Sequence, residues 1–108
     1  MLAARHLQRL GYRVVARNVA SKLGELDLVA REKSEYVFVE VKTRVGARGI
    51  TPEDNVTRQK VTRLTRLAEA YLAAHSLEGA MWRIDVVAVV LDRAGDVIRL
   101  EHYKNAVN

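Results

Sequence analysis

Between Gly24 and Arg44 apolar and polar residues alternate with period two, in two runs separated by Lys33-Ser34. Each run predicts a β-strand with one buried face. In the first, Leu26, Leu28 and Ala30 are expected on one side and Glu25, Asp27 and Val29 on the other. In the second, Val37, Val39, Val41 and Thr43 oppose Phe38, Glu40, Lys42 and Arg44. Upstream, Ala3, Leu7 and Leu10 fall on one face of a short helix over 2–10, with Gly11 suited to its C-cap. Tyr12 to Asn18 reads as a first strand. Downstream, Thr43 to Asn55 holds Gly46, Gly49 and Pro52 and predicts an irregular segment. A helix then starts at Thr51-Pro52 or at Thr57 and runs to Ser76, with Val61, Leu64, Ala68, Tyr71, Leu72 and His75 on its apolar stripe. Met81 to Leu91 is a β-branched run expected as a central strand. Asp92 to Asp96 supplies a turn, and Val97 to Tyr103 a last strand.

A chain of 108 residues is long enough for one core and too short for two, so residues 1–108 are expected to form a single domain. Composition adds a direction: 18 Lys and Arg against 13 Asp and Glu leave a net charge of +5. A basic excess on a small domain favours an anionic partner, nucleic acid ahead of membrane. With no cysteine, a disulfide scaffold, a zinc finger and a thiol nucleophile are excluded. The longest apolar run, Val86 to Leu91, is far short of a membrane span, and charges interrupt the opening ten residues where a signal-peptide core would lie. A cytoplasmic protein without membrane contact is expected.

The candidate chemistry follows from the register of the alternating runs. A turn centred on Lys33-Ser34 places Asp27 opposite Glu40 and Glu25 opposite Lys42, with β-carbons about 4.5–5.5 Å apart. Like charges in direct opposition destabilise a sheet, so Asp27 and Glu40 together call for a cation. Hard divalent ions take such oxygen ligands, often one or two carboxylates with water and substrate phosphate. The solvated face of an ordinary hairpin would show the same alternation, with Glu25–Lys42 a surface ion pair of little consequence.

Charge on the long helix points the same way. Arg58, Lys60, Arg63 and Arg66 crowd its first half, with no acid between Thr57 and Ala68. Cations near a helix N-terminus oppose the macrodipole by some tenths of about 1 kcal/mol each. A phosphate-binding edge explains that layout better than a merely soluble face, which would mix both signs. Arg44 and Arg48 flank the same region from the irregular segment. Asp85, an acid inside an apolar strand, is expected in a structural salt bridge with Arg83 or Arg17. Trp82 and Tyr103 are expected to pack in the core, and His75 to be a packed or edge histidine.

Asp27 on one strand and Glu40-Val41-Lys42 on the next, within the order helix, three strands, long helix, two strands, resemble the restriction-endonuclease-like PD-(D/E)xK core. Gly24 to Arg31, Val37 to Arg44, Pro52-Glu53, the basic helix after Thr57 and Arg83 to Val89 together resemble the bacterial YraN family of predicted endonucleases. That family is similar to archaeal Holliday-junction resolvases. The resemblance spans nearly the whole chain and implies an α/β fold with a mixed five-stranded sheet flanked by helices (α-β-β-β-α-β-β). It also implies a Mg²⁺- or Mn²⁺-dependent nuclease acting on DNA, with branched or junction DNA a candidate substrate. On that basis Asp27, Glu40 and the Val41 carbonyl would hold the metal, and Lys42 would face the scissile phosphate. Glu25 would join from outside or pair with Lys42. Arg44, Arg48, Arg58, Lys60, Arg63 and Arg66 would contact the nucleic-acid backbone. The resolvase relatives cut as two-fold dimers, which makes a homodimer compatible. One departure is evident: the relatives carry a further acid, in a Gly-Glu pair ahead of the Ala-Ala-Arg-x-Leu segment, and here Met1-Leu2 stands directly before Ala3-Ala4-Arg5-His6-Leu7. Weaker metal binding is expected without it. A non-catalytic nucleic-acid-binding module with a degenerate nuclease site is the alternative, and a protein-interaction domain the third reading.

Overall fold

The computed structural model describes residues 2–46 and 57–106. Its elements run α1 (Leu2–Arg9), β1 (Arg13–Ser21), β2 (Gly24–Glu32), β3 (Glu35–Val45), α2 (Arg58–Ala74), β4 (Trp82–Leu91) and β5 (Val97–Tyr103). The five strands form one sheet in the order β1-β2-β3-β4-β5. β3 and β4 run parallel, and every other neighbouring pair is antiparallel. A parallel pair cannot be closed by a tight turn, so residues 46–81 carry the crossover with α2 inside it. The element order is that expected from the alternation pattern and the mixed sheet that implied by the resemblance, consistent with a restriction-endonuclease-like core.

Local signals fix the element ends. Gly11 sits at φ +90 just after α1, a left-handed conformation that lets the Tyr12 N–H turn back to the Leu7 carbonyl at 2.9 Å. Of the two expected starts for the long helix, Thr57 is the N-cap: its hydroxyl accepts from the Lys60 N–H at 3.2 Å, a contact worth about 1 kcal/mol. Thr51-Pro52 lies outside the described residues. Lys33-Ser34 is the β2–β3 turn, and the ladder pairs Glu32 with Glu35 through Leu28 with Val39.

The sheet buries a different apolar cluster on each face. Against α1 lie Leu28, Ala30, Val37, Val39 and Val87, covered by Ala3, Ala4 and Leu7. Against α2 lie Leu26, Val29, Phe38 and Ile84, covered by Leu64, Leu67, Ala68 and Leu72. Leu26 therefore does not share a face with Leu28 and Ala30, as unbroken alternation predicts. The period slips at Asp27, where the β2–β3 ladder ends and a side chain replaces a backbone partner. Trp82 packs edge-on to Phe38, with ring centroids 5.8 Å apart, as expected. Tyr103, expected in the core, is exposed at the end of β5 and donates its hydroxyl proton to Glu101. His75 is an edge histidine, stacked on Tyr71 at the C-terminal end of α2.

On the α1 side a polar network is buried under the first helix. Asp85 is 0% exposed and accepts from Arg83 Nε at 3.0 Å, His102 Nε2 at 2.8 Å and the Asn105 backbone N–H at 2.9 Å. Arg83, the expected partner, also donates to Glu35 at 2.6 Å, Glu32 at 3.1 Å and the Tyr12 hydroxyl at 2.7 Å. Burial alone would lower the guanidinium pKa, but the bonds to Asp85, Glu32 and Glu35 and the Asp85 charge hold it above its ordinary value. The chain of contacts continues from His102 Nδ1 to His6 Nε2 at 3.1 Å, on α1.

Burial, His102 and then Arg9 hold His6 below the ordinary histidine pKa, about 6.5. Below that value the unfolded chain binds this proton more readily than the folded one, so stability is full above about pH 6.5 and falls as pH drops through the folded pKa. Facing His6 are His102 from β5, backed by Asp85 from β4, and Arg9 from its own helix. The thermal midpoint of wild type is expected to fall further between pH 7.5 and 5.5 than that of His6→Gln. Equal slopes in a pair of melting series would contradict this.

Candidate metal and nucleic-acid site

At the point where β2 and β3 stop pairing, Asp27 Oδ2 accepts the Val41 N–H at 2.8 Å. The carboxylate thereby takes over a ladder bond that a backbone carbonyl would otherwise accept, and it is held against β3 at Val41, the residue after Glu40. In an extended strand the N–H and C=O of one residue face the same neighbour, so the Val41 carbonyl is turned toward β2 and Asp27 as well. Glu40 projects to the α2 face, where its Oε1 lies 3.5 Å from Arg63 Nη2. Its Oε2 is buried and has no hydrogen-bond partner among the described residues. A buried carboxylate oxygen without a donor is costly, and a cation is one kind of partner that would offset that cost.

Two carboxylates and a carbonyl, all oxygen, are the chemistry a hard divalent ion would take. Among the described residues no three His, Asp or Glu side chains form a ready-made cage. Mg²⁺ and Mn²⁺ fit this better than ions needing an all-protein shell, because Mg²⁺ in particular keeps several waters and leaves positions for a phosphate. Lys42 is buried at 9% exposure, lies opposite Ala88 of β4, and shares the Glu40 face by strand period. Glu25 is exposed and paired with Ala20 of β1. Its predicted opposition to Lys42 does not form, because the β2–β3 ladder ends at Leu28 and Val39 before reaching either residue.

The predicted basic residues divide. Arg58 and Arg66 are exposed on α2, Lys60 is half-buried, and Arg44 is exposed near the end of β3. α2 has no acid in its first turn. Arg63 differs from the others, since its side chain turns inward to Glu40. Arg48 lies outside the described residues, as does most of the irregular segment. Sequence spacing did not single out Arg63. The signal that could have done so is Gly24, a residue without a side chain directly beneath its path.

A model of the uncharacterised protein family UPF0102 matches residues 1–89. The chain is 45% identical over 104 residues to a UPF0102 protein of Pelotomaculum thermopropionicum, covering 96% of this chain and 87% of that one. A UPF0102 protein of Roseiflexus castenholzii is 44% identical over 107 residues, 98% of this chain and 86% of its own. One of Beutenbergia cavernae is 48% identical over 103 residues, 95% and 86% respectively. No helix among the described residues is long and apolar enough to cross a membrane.

Proposed function

The chain belongs to the uncharacterised protein family UPF0102, and from the arrangement of its carboxylates we propose that it is a Mg²⁺- or Mn²⁺-dependent nuclease. Its reaction is hydrolysis of DNA phosphodiester bonds, with branched or junction DNA a candidate substrate. The observation that carries this reading is the buried Oε2 of Glu40, unpartnered among the described residues, near the strand end where Asp27 is fixed. When bound there, a divalent cation lowers the pKa of a coordinated water and offsets charge on the phosphoryl oxygens. Asp27, Glu40 and the Val41 carbonyl would hold it.

Lys42 supplies a compact positive charge on the same face, in surroundings dry enough to strengthen its pull on a phosphate. Arg44, Arg58, Lys60 and Arg66 meet the flanking backbone, where contacts fix position without reading sequence. A homodimer would carry two such sites for paired cuts. The ion pair between Arg63 and Glu40 favours a second reading, in which the site is neutralised internally and the protein binds nucleic acid without cutting it.

The test is a panel of linear, single-stranded and four-way-junction DNA, incubated with Mg²⁺ or Mn²⁺ and resolved on gels. Metal-dependent cleavage that disappears in Lys42→Ala while binding persists supports the nuclease. Binding with no cleavage in either metal supports the second reading, and no binding at low salt removes both. Within that assay, Arg58→Ala and Arg66→Ala are expected to weaken binding uniformly across substrates. Each should reduce the slope of log affinity against log salt by about 1. An unchanged slope in both would place the nucleic acid elsewhere.

A further inference from the structure

Arg63 joins three elements at the site. It leaves the second turn of α2, passes over Gly24 at the start of β2 and ends on Glu40 of β3. A Cβ built on Gly24 would lie 3.3 Å from Arg63 Nη1 and 3.8 Å from both Arg63 Cδ and Leu67 Cδ1. Gly24 also holds φ +133, where L side chains are strained. The glycine thus leaves open the channel that the guanidinium occupies. At its far end the guanidinium meets one oxygen of Glu40, at 3.5 Å, while the other is buried without a partner among the described residues.

We infer that Arg63 is a positioning residue for the metal site: through the clearance at Gly24 it holds Glu40 by Oε1 and leaves Oε2 presented to the cation. The inference rests on the metal-dependent reading above and gives Arg63 a role distinct from the phosphate contacts of Arg58 and Arg66. Two opposite effects are at work. A positive charge close to the site repels a dication. Against that, a carboxylate on a flexible stem binds metal better when an outer partner fixes it. The Arg63 side chain is 40% exposed, so solvent and salt screen its repulsion. Outer partners of metal ligands typically matter by about 10–100-fold in affinity. Orientation therefore outweighs repulsion.

The sign of the effect decides the matter. Mn²⁺ affinity is measured without DNA, by electron paramagnetic resonance of the free ion, with circular dichroism confirming that each variant is folded. Arg63→Gln is expected to bind Mn²⁺ about 10–100-fold more weakly than wild type. Gly24→Ala, which keeps Arg63 but obstructs its path, should weaken binding in the same direction. The double variant should lose little more than Arg63→Gln alone, as two changes to one contact are not additive. Unchanged or tighter binding in Arg63→Gln overturns the inference. If wild type binds Mn²⁺, Asp27→Asn abolishes it and Arg63→Gln leaves it intact, only the role of Arg63 falls. If wild type binds no Mn²⁺, the metal reading falls with it. Should Gly24→Ala fail to fold, Arg63→Gln by itself still decides.

Discussion

Glu40→Gln should reduce metal-dependent cleavage by roughly 10²-fold or more while leaving DNA binding at low salt nearly unchanged. Gln keeps the length and packing of Glu40 and still offers an amide oxygen to Arg63, so the fold has little to lose. What disappears is the charge on a carboxylate that is only 12% exposed and has one buried oxygen without a donor among the described residues. The metal-free variant should therefore melt at or above the wild-type temperature. A site that tolerates an unsatisfied charge for function typically gains stability when the charge is removed. Mn²⁺ at about 100 times its dissociation constant should stabilise wild type by about 2.7 kcal/mol, and this increment should vanish in Glu40→Gln. Paired melting curves with and without Mn²⁺, set beside the cleavage assay, test both halves. Cleavage retained within tenfold, or a variant that melts far below wild type, would show that Glu40 serves the fold and not the chemistry.

The largest effect on stability is expected at Asp85. Asp85→Ala removes the acceptor for Arg83, His102 and the Asn105 N–H at once, leaving a guanidinium at 12% exposure without its fully buried partner. Breaking one side of such a pair costs about 3–5 kcal/mol. For a domain of this size that is a fall in melting temperature of roughly 10–25 °C. Glu32 and Glu35 still hold Arg83, which argues for the lower part of that range. Replacing both partners by apolar residues, as in Arg83→Met with Asp85→Leu, should recover much of the loss, because no buried charge is left unpaired. Chemical denaturation of the single and double variants checks this. A single variant within 1 kcal/mol of wild type, on the order set by ordinary surface changes, would mean that water replaces the lost acceptor.

Much of this architecture could be read from residue order. The β2–β3 turn and register followed from two alternating runs around Lys33-Ser34, but the direct opposition of Asp27 and Glu40 that this register predicts lies one step past the last ladder pair, and Asp27 instead meets the Val41 N–H. Alternation could not show that the ladder stops at Leu28 and Val39. That end depends on Asp27 taking the Val41 N–H, a side-chain bond that competes with backbone pairing and leaves no periodic trace. The break moved Leu26 to the α2 face and separated Glu25 from Lys42. The α2 stripe was legible from its 3.6-residue period, but Leu67 was missed and His75 proved exposed, since the stripe's edges depend on where the sheet ends. Asp85 stood out as an acid within an apolar run. Its companions Tyr12, Glu32, Glu35 and His102 come from four other segments, and no local window contains them.

The two polar assemblies draw on very different spans of chain. The bond that fixes Asp27 closes a separation of only 14 residues, whereas the link between His6 and His102 closes one of 96. Short loops are closed at small entropic cost, and distant partners meet only once intervening segments are in place. The acid pair thus travels as one contiguous cassette on a hairpin, tolerant of change in the C-terminal strands. The Asp85 assembly behaves as a proofreader of complete assembly, since truncation at either end removes one of its members.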